Sequence, residues 1–251
     1  MTAFGALFDR VRETSPLVHC ISNLVSANDC ANIVLAAGAS PIMADDPEEV
    51  EEITALSRAL CLSLGTPNPR KADAMVKAGR TAARLGLPVV FDPVGVGASQ
   101  FRQSIAAEVL REVPVTVLRC NASELQALSG LAQVSRGVDA GKTLPPEALR
   151  PLVEQFAAQH HCVAAVTGAE DIVTDGKTTH ILRNGTPLLR RVTGAGCMRS
   201  ALTAAFGGAN PDRPLAAAAA AVCAMGLCGE TAAARLTGEE GTGTLRRYLM
   251  D

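Results

Sequence analysis

Short apolar runs alternate with helical patterns along most of this 251-residue chain, and this alternation limits the possible folds more than any other feature. Runs of this length that end at Gly, Asn or Asp are typical of strands buried on both faces of a sheet. A strand followed by a helix and then by another strand favours parallel pairing. The predicted strands are residues 17–21, 41–44, 59–64, 88–91, 115–119 and 163–167.

The residues between these runs predict where helices begin and end. The motif Asp46-Pro47-x-Glu49 predicts a helix start with a capping box. Asn68-Pro69 predicts the start of another helix, and Gly86 predicts its end. Further helices are predicted at residues 4–15, 196–206 and 215–236 and at the C-terminus.

The pattern changes after Thr167. Asp175-Gly176 and Asn184-Gly185 are tight-turn dipeptides, and they predict an antiparallel meander of residues 171–174, 178–183 and 188–192. No repeat or linker interrupts the chain, so we expect one α/β domain over residues 1–251. Its mostly parallel central sheet is flanked by helices on both faces, with antiparallel strands in the C-terminal half. Residues 131–144 show the weakest helix or strand pattern of the chain, which predicts an excursion of the chain on the surface, that is, a surface loop.

Composition excludes several classes of function. A net charge of −2 and an aromatic content of 3% give no basis for binding nucleic acid. The longest apolar run, residues 215–229, is 15 residues long, short of the ~20 that cross a bilayer. The charged N-terminal residues do not form a signal peptide, so we expect a soluble cytoplasmic protein. Eight scattered cysteines without a Cys-x-x-Cys pair indicate small buried side chains in a reducing compartment.

Gly141-Lys142-Thr143 resembles the end of a phosphate-binding P-loop. The glycine required five residues earlier is replaced by Arg136, and Leu144-Pro145-Pro146 follows where a helix should begin. Without a helix N-terminus the anion-binding mechanism is missing. We therefore reject a P-loop.

The segment Thr193–Cys197, with sequence Thr-Gly-Ala-Gly-Cys, joins the end of the meander to a predicted helix. Gly194 and Gly196 allow backbone N–H groups to converge, and the helix dipole adds partial positive charge, so this turn can cradle an anion. A tight turn with no ligand explains the glycines equally well. The same dipole predicts a lowered thiol pKa for Cys197.

Two carboxylates and an arginine follow other predicted strands. Asp92 precedes a glycine-rich segment and suits a hydrated Mg²⁺, although a capping role explains it equally well. Asn121-x-x-Glu124 after Arg119 fits a capping box as well as a site. The carboxyl ends of parallel strands share one sheet edge. An anion cradle, two carboxylates and an arginine at that edge favour metal-assisted phosphoryl transfer.

Five ordered motifs, spread over nearly the whole chain, resemble the hydroxyethylthiazole kinase family of the ribokinase-like superfamily. They are Pro16-Leu17-Val18-His19 with Ile21-x-Asn23, Gly38-Ala39-Ser40-Pro41-x-Met43-Ala44, Asp92-Pro93-Val94-Gly95-x-Gly97-Ala98, Asn121-x-x-Glu124 and Val192-Thr193-Gly194-Ala195-Gly196-Cys197. The cysteine that ends the last motif is the most specific point, because most ribokinase-like enzymes resemble one another in having Asp there.

This resemblance implies ATP- and Mg²⁺-dependent phosphorylation of the hydroxyl of 4-methyl-5-(2-hydroxyethyl)thiazole, a salvage step in thiamine biosynthesis. It also implies a homotrimer with sites between subunits. The implied catalytic residues are Cys197, Gly194 and Gly196. The implied thiazole contacts are Met43, Gly194 and Asn23. The implied ATP contacts are Arg119, Thr167 and Asn121, and the implied Mg²⁺ residues are Asp92 and Glu124.

Five residues depart from the family pattern: Cys120 follows Arg119 in place of glycine, Met198 and Arg199 replace smaller side chains, and Asp29 and Cys30 alter the N-terminal segment. Two alternatives therefore stay open. One is a kinase of the same fold for another small heterocyclic alcohol, such as a pyrimidine or pyridoxal-type substrate. The other is a catalytically weak relative that binds ligands. ATP-dependent dehydratases of this fold are disfavoured because they normally have Asp where this chain has Cys197.

Overall fold

The computed structural model describes residues 3–131 and 144–251. The strands are β1 (Leu17–Ile21), β2 (Ser40–Met43), β3 (Ala59–Ser63), β4 (Val89–Asp92), β5 (Val117–Asn121), β6 (Val163–Thr167), β7 (Asp171–Thr174) and β8 (Thr179–Leu182). The helices are α1 (Ala3–Thr14), α2 (Ala27–Ala36), α3 (Val50–Leu56), α4 (Pro69–Leu85), α5 (Gln100–Glu112), α6 (Ala122–Leu128), α7 (Pro146–His160), α8 (Ala195–Ala209), α9 (Pro214–Arg235) and α10 (Thr242–Met250).

One eight-stranded sheet, in the order β2-β1-β3-β4-β5-β6-β7-β8, forms the centre of the molecule. The six strands from β2 to β6 pair in parallel, and β7 and β8 are antiparallel. This confirms the predicted α/β sheet. The strands predicted at 17–21, 163–167 and 171–174 have the predicted bounds, and the ends of the others differ by no more than two residues.

The predicted third strand of the meander, residues 188–192, is wrong. The segment Pro187–Arg191 is a 3₁₀ helix, and the sheet ends at β8. Pro187 fixes its own φ near the helical value, and the Thr186 hydroxyl accepts a hydrogen bond from the Leu188 N–H. These two local effects outweigh the strand preference of the apolar residues that follow.

The predicted capping box at Asp46 is also wrong. The Asp46 carboxylate accepts a hydrogen bond from the Glu48 N–H at 3.0 Å, residues 47–49 form a turn, and α3 begins only at Val50. Both predicted ends of α4 are confirmed. Asn68 accepts from the Lys71 N–H at 2.9 Å, and Gly86 has φ +67°, the left-handed conformation that glycine tolerates best.

Helices cover both faces of the sheet, and each face has its own apolar core. One core joins α1, α2, α8, α9 and α10 to the sheet, and the other joins α3, α4, α5, α6 and α7. α8 crosses β1, β3 and β4, which brings its N-terminus over the middle of the sheet.

The helix predicted at residues 215–236 is confirmed within one residue at each end, and α9 is 22 residues long. Within the described residues, α9 alone is long and apolar enough to cross a membrane. Ten of its residues are buried, and it packs against α8, α10 and β6. This burial is typical of a core helix.

All eight cysteines are free thiols, and six of them are buried as expected. Cys228 on α9 is exposed, so the buried interpretation is wrong for it. The excursion predicted at 131–144 lies almost entirely outside the described residues, as does the rejected motif Gly141-Lys142-Thr143.

Candidate active site

The carboxyl ends of the parallel strands bring the predicted polar residues to one edge of the sheet. β3 and β4 end at the paired residues Ser63 and Asp92, and β5 and β6 end at the paired residues Asn121 and Thr167. α8 begins at the same edge, because Ser200 of its second turn donates a hydrogen bond to the Asp92 carboxylate at 2.8 Å. The structure therefore brings the glycine turn, Asp92 and the residues at the end of β5 together.

Both glycines of the cradle are required by close contacts. Gly194 is the N-cap of α8 with φ +82°, and a Cβ there would lie 2.6 Å from Ser26 Cβ. A Cβ on Gly196 would lie 2.7 Å from Arg119 Nη1. The first N–H groups of a helix lack intrahelical acceptors and carry the positive end of its dipole. The turn thus combines free donors with an adjacent guanidinium.

A buried charged network lies below the cradle. Arg119 Nη1 is 3.6 Å from Asp92 Oδ1, and Arg119 Nη2 donates to the Thr167 hydroxyl at 2.7 Å. Burial raises the pKa of Asp92, and the opposing charge of Arg119 reduces that effect. Two polar atoms of the network, Asp92 Oδ1 and Arg119 Nε, have no hydrogen-bond partner among the described residues.

Glu124 links the loop after β4 to the end of β5 through hydrogen bonds. Its carboxylate accepts from the Gly95 N–H at 2.8 Å and from the Asn121 N–H at 2.9 Å, and Asn121 in turn accepts from the Glu124 N–H. The capping box is therefore confirmed, at a position that also faces the site. Burial, followed by the negative charge of Asp92, raises the pKa of Glu124 to about 7.

Cys197 lies on the side of α8 that faces β1. Its sulfur accepts a hydrogen bond from Asn23 Nδ2 at 3.1 Å, while Asn23 Oδ1 accepts from the backbone of Val25 and Ser26. Burial and then the charge of Asp92 raise the pKa of Cys197 to about 11. The predicted lowering by the helix dipole is wrong, because desolvation of the thiolate outweighs the dipole.

Met43 lies apart from this network, at the end of the edge strand β2. Three strand spacings separate β2 from β4, or roughly 14 Å. Met43 is 38% exposed. It pairs with Cys20 of the neighbouring strand β1. Cys120 is wholly buried in the core opposite α8, on the other face of β5 from Arg119.

Sequence reasoning missed two cations that position the loops of this edge. Lys71 Nζ donates to the carbonyls of Ser22 at 2.8 Å and Gly65 at 2.7 Å, and burial lowers the pKa of Lys71 to about 8. Arg102 Nη1 donates to the carbonyls of Val94 at 2.6 Å and Leu64 at 3.2 Å. Lys71 and Arg102 each lie in the first turn of a helix that follows a parallel strand. In the sequence, this position is the only sign that they contact the loops of the site.

Asp92 and Glu124 are the acidic groups available to a cation. The charge of Asp92 raises the pKa of Glu124, and Asp92 Oδ1 lacks a hydrogen bond, so a cation between them would relieve an existing repulsion. No group of three or more His, Cys, Asp or Glu side chains forms a metal centre within residues 3–131 and 144–251. Two carboxylates suit a cation such as Mg²⁺ that keeps several waters.

The sequence model of the hydroxyethylthiazole kinase family matches residues 8–251. The chain belongs to this family. It is 46% identical to the hydroxyethylthiazole kinase of Clostridium acetobutylicum over 248 residues, covering 97% of this chain and 91% of that protein.

Solved structures support the assignment of this chain to the hydroxyethylthiazole kinase family. The hydroxyethylthiazole kinase protein from Pyrococcus horikoshii superposes with a TM-score of 0.86 at 38% identity, over 100% of this chain and 93% of that chain. A ribokinase-like superfamily protein from Enterococcus faecalis gives a TM-score of 0.65 at 11% identity, over 97% and 92% of the chains, and supports the fold alone. The predicted family, fold and kinase class are thus confirmed, and the roles of individual residues stay predictions.

Proposed function

We propose that this protein transfers the terminal phosphoryl group of ATP to the hydroxyl of 4-methyl-5-(2-hydroxyethyl)thiazole, as a salvage step in thiamine biosynthesis. The observation that carries the proposal is the position of the α8 N-terminus. It lies between Cys197 with Asn23 on one side and Arg119 with Thr167 on the other. An alcohol on the first side and a nucleotide on the second would meet at the free N–H groups.

Charge stabilisation and positioning carry most of phosphoryl transfer. The N–H groups of Gly196 and Cys197 and the Arg119 guanidinium would stabilise the negative charge of the transferred group. Cys197 is a neutral thiol at neutral pH because its pKa is about 11. We therefore assign Cys197 to orienting the alcohol. A loose transition state keeps the alcohol proton in place until late, so the step does not need a strong base.

Asp92 and Glu124 would hold Mg²⁺ at this edge, together with water and nucleotide oxygens. When bound, the ion would neutralise phosphate charge. Calorimetric titration of Mg²⁺ into the protein with ADP tests this assignment independently of turnover. We expect Glu124→Gln to weaken Mg²⁺ binding, and unchanged Mg²⁺ affinity in that variant would contradict the assignment.

We also propose that the protein works as a homotrimer in the cytoplasm and that a neighbouring subunit completes the thiazole site. Three exposed apolar side chains near the alcohol side support this: Leu24 is 83% exposed, Val25 is 65% exposed and Met43 is 38% exposed. Leu24 and Val25 directly follow Asn23, which contacts Cys197. A subunit packed against this surface would bring Met43 into an enclosed site.

The test is coupled ADP release with hydroxyethylthiazole, hydroxymethylpyrimidine and pyridoxal, each with and without Mg²⁺. We expect the thiazole alcohol to have the highest kcat/KM and the rate to require Mg²⁺. A higher kcat/KM for another alcohol would assign the protein to that substrate instead. ATP binding without turnover of any alcohol would overturn the kinase proposal in favour of a ligand-binding role.

A further inference from the structure

The side chain of Arg199, in the second turn of α8, has no hydrogen-bond or ion-pair partner among the residues that the structure describes. Its Nε–H is buried and donates to no acceptor, while the residue as a whole is half-buried. Burial, followed by repulsion from Arg119, lowers the pKa of Arg199 to about 10. A buried N–H donor without an acceptor costs free energy, so the folded chain leaves Arg199 with an unmet hydrogen bond.

Two charged groups face Arg199, and neither forms an ion pair with it. Arg119 repels it, and Asp171 at the start of β7 is the carboxylate that attracts it. Asp171 Oδ1 is already used, because it accepts the Gly168 N–H at 2.8 Å. Arg119 is paired with Asp92 at 3.6 Å, so of the two guanidiniums near the end of β6 it is Arg199 that has no ion-pair partner among the described residues.

Arg199 and Cys197 point to different sides of α8. Two residues turn an α-helix by roughly 200°, so side chains at this spacing diverge. Cys197 meets Asn23 on the β1 side, whereas Arg199 interacts with Arg119 and Asp171 on the side of β5 and β7. The first two turns of this helix thus separate an alcohol side from a nucleotide side.

We propose that Arg199 is a nucleotide-binding residue, which together with Arg119 holds the polyphosphate of the donor. This inference rests on the proposed kinase function, because it assumes that the side of β5 to β7 receives ATP. A di- or triphosphate matches the site in charge and in geometry, since a guanidinium binds phosphate oxygens with two parallel N–H groups. The ligand would supply the partner that the folded chain does not provide.

The experiment compares the wild-type chain with Arg199→Met, Arg199→Lys and a control, Arg58→Met. Arg58 is exposed at the opposite end of β3, where its backbone N–H bonds to Leu17 O, so the control removes one positive charge far from the site. Calorimetry measures the affinity for Mg-ADP and for inorganic tripolyphosphate. Steady-state kinetics measures KM for ATP and for the thiazole alcohol, and thermal unfolding measures Tm with and without ADP.

We expect Arg199→Met to weaken ADP and tripolyphosphate binding by roughly tenfold, the effect of losing a charged hydrogen bond. Its KM for ATP should rise while KM for the thiazole alcohol changes little, and Arg199→Lys should recover part of the affinity. The Tm without ligand should stay or rise, because a buried N–H donor without an acceptor is removed, whereas a purely structural arginine would lower it. Arg58→Met should match the wild type throughout.

Equal ADP affinity in the wild type and Arg199→Met overturns the inference, and if the wild type still phosphorylates the thiazole alcohol, the proposed function stands. Weaker ADP binding by Arg199→Met in a protein that phosphorylates no alcohol supports the inference and overturns the proposed function. A lowered Tm in Arg199→Met with unchanged affinity assigns Arg199 to folding and overturns the inference.

Discussion

Glu124 combines a structural and an electrostatic task in one side chain. Its two oxygens accept the N–H groups of Gly95 and Asn121, which ties the loop after β4 to the start of α6. The same oxygens lie close enough to Asp92 for the two charges to repel each other. Without a cation, the folded protein therefore favours protonation of Glu124.

Stability should fall as pH rises from about 4.5 to about 7. The pKa of Glu124 rises from an ordinary 4.5 to about 7 in the folded protein, so the folded state binds the proton more tightly than the unfolded state. Its contribution is fully present below pH 4.5 and is lost as pH rises through 7. At about 1.4 kcal/mol per pH unit this amounts to about 3 kcal/mol. Urea unfolding at pH 5 and pH 8 without Mg²⁺ measures it.

In Glu124→Gln the difference between pH 5 and pH 8 should shrink by about 2.5 kcal/mol, because part of the full effect is already lost at pH 5. Glu52→Gln is the control, because Glu52 is exposed on α3 and the change also removes one negative charge. An equal pH dependence in the wild type and Glu124→Gln would contradict the raised pKa.

Thiol alkylation should distinguish Cys197 from Cys228. Cys197 is 8% exposed with a pKa of about 11, so almost no thiolate is present and reagent cannot approach it. Cys228 is exposed. Under limiting iodoacetamide at pH 7.5, peptide mass spectrometry should find label on Cys228 well before Cys197. Early labelling of Cys197 would show that its thiol is activated.

Gly196→Ala should abolish most activity and leave the fold intact. The new Cβ would lie 2.7 Å from Arg119 Nη1, so the guanidinium must move away from Asp92 and Thr167. We expect kcat/KM to fall about 100-fold or more. Gly207→Ala in the same helix is the matched control. Its nearest contact is Pro88 Cβ at 3.6 Å, so it should gain about 1 kcal/mol of stability and keep activity.

Local spacing predicted the glycine turn, Asp92 and the capping box at Asn121, because each depends on residues a few positions apart. The pKa of Cys197 was predicted wrongly, because its burial and the nearby Asp92 come from distant parts of the chain. Lys71 and Arg102 were not predicted to act at the site for a similar reason. A long side chain can reach several loops, and only the folded chain shows which one it contacts.

At the scale of elements, one buried hydrogen bond links the second turn of α8 to the end of β4, in addition to the apolar packing of α8 on the sheet. Ser200 Oγ donates to Asp92 Oδ2 at 2.8 Å, and both side chains are fully buried. This contact joins the first turns of α8 directly to the carboxylate at the end of β4.

Ser200→Ala should destabilise the protein by about 1–3 kcal/mol, because it leaves a buried carboxylate oxygen without its donor. It should also lower kcat, since α8 loses its attachment to β4. Thr203→Val on the next turn is the control, because it removes only a hydroxyl that bonds within the helix, to Arg199 O at 2.8 Å. Denaturant unfolding and steady-state kinetics give both quantities, and an unperturbed kcat in Ser200→Ala would refute the attachment.

The strands were predicted more accurately than the helix starts. A run buried on both faces is apolar throughout, so its length is visible in the sequence. The start of α3 was placed at Pro47 instead of Val50, because the Asp46 side chain completes a turn with Glu48 before the helix begins. Residues 188–192 carry the composition of a strand, and Pro187 together with Thr186 makes them helical instead.

At the scale of the whole molecule, the apolar surface beside Asn23 predicts self-association. Leu24→Glu adds a charge to a side chain that is 83% exposed in the single chain, so the fold itself should tolerate it. In a subunit interface the charge is buried and weakens assembly. Light scattering should show a trimer for the wild type and smaller species for Leu24→Glu, with a raised KM for the thiazole alcohol. A monomeric wild type would contradict the prediction.

The order in which the chain is synthesised has a consequence for this site. Asp92 and Ser200 are 108 residues apart, which is roughly 5–20 s of translation at about 5–20 residues per second. Throughout that interval the sheet face under α8 is uncovered, and α1 lacks both of its later packing partners, α8 and α9. A ribosome-bound chain that stops before residue 195 therefore exposes an apolar sheet of the kind that chaperones hold. The candidate active site forms only after Ser200 has been synthesised.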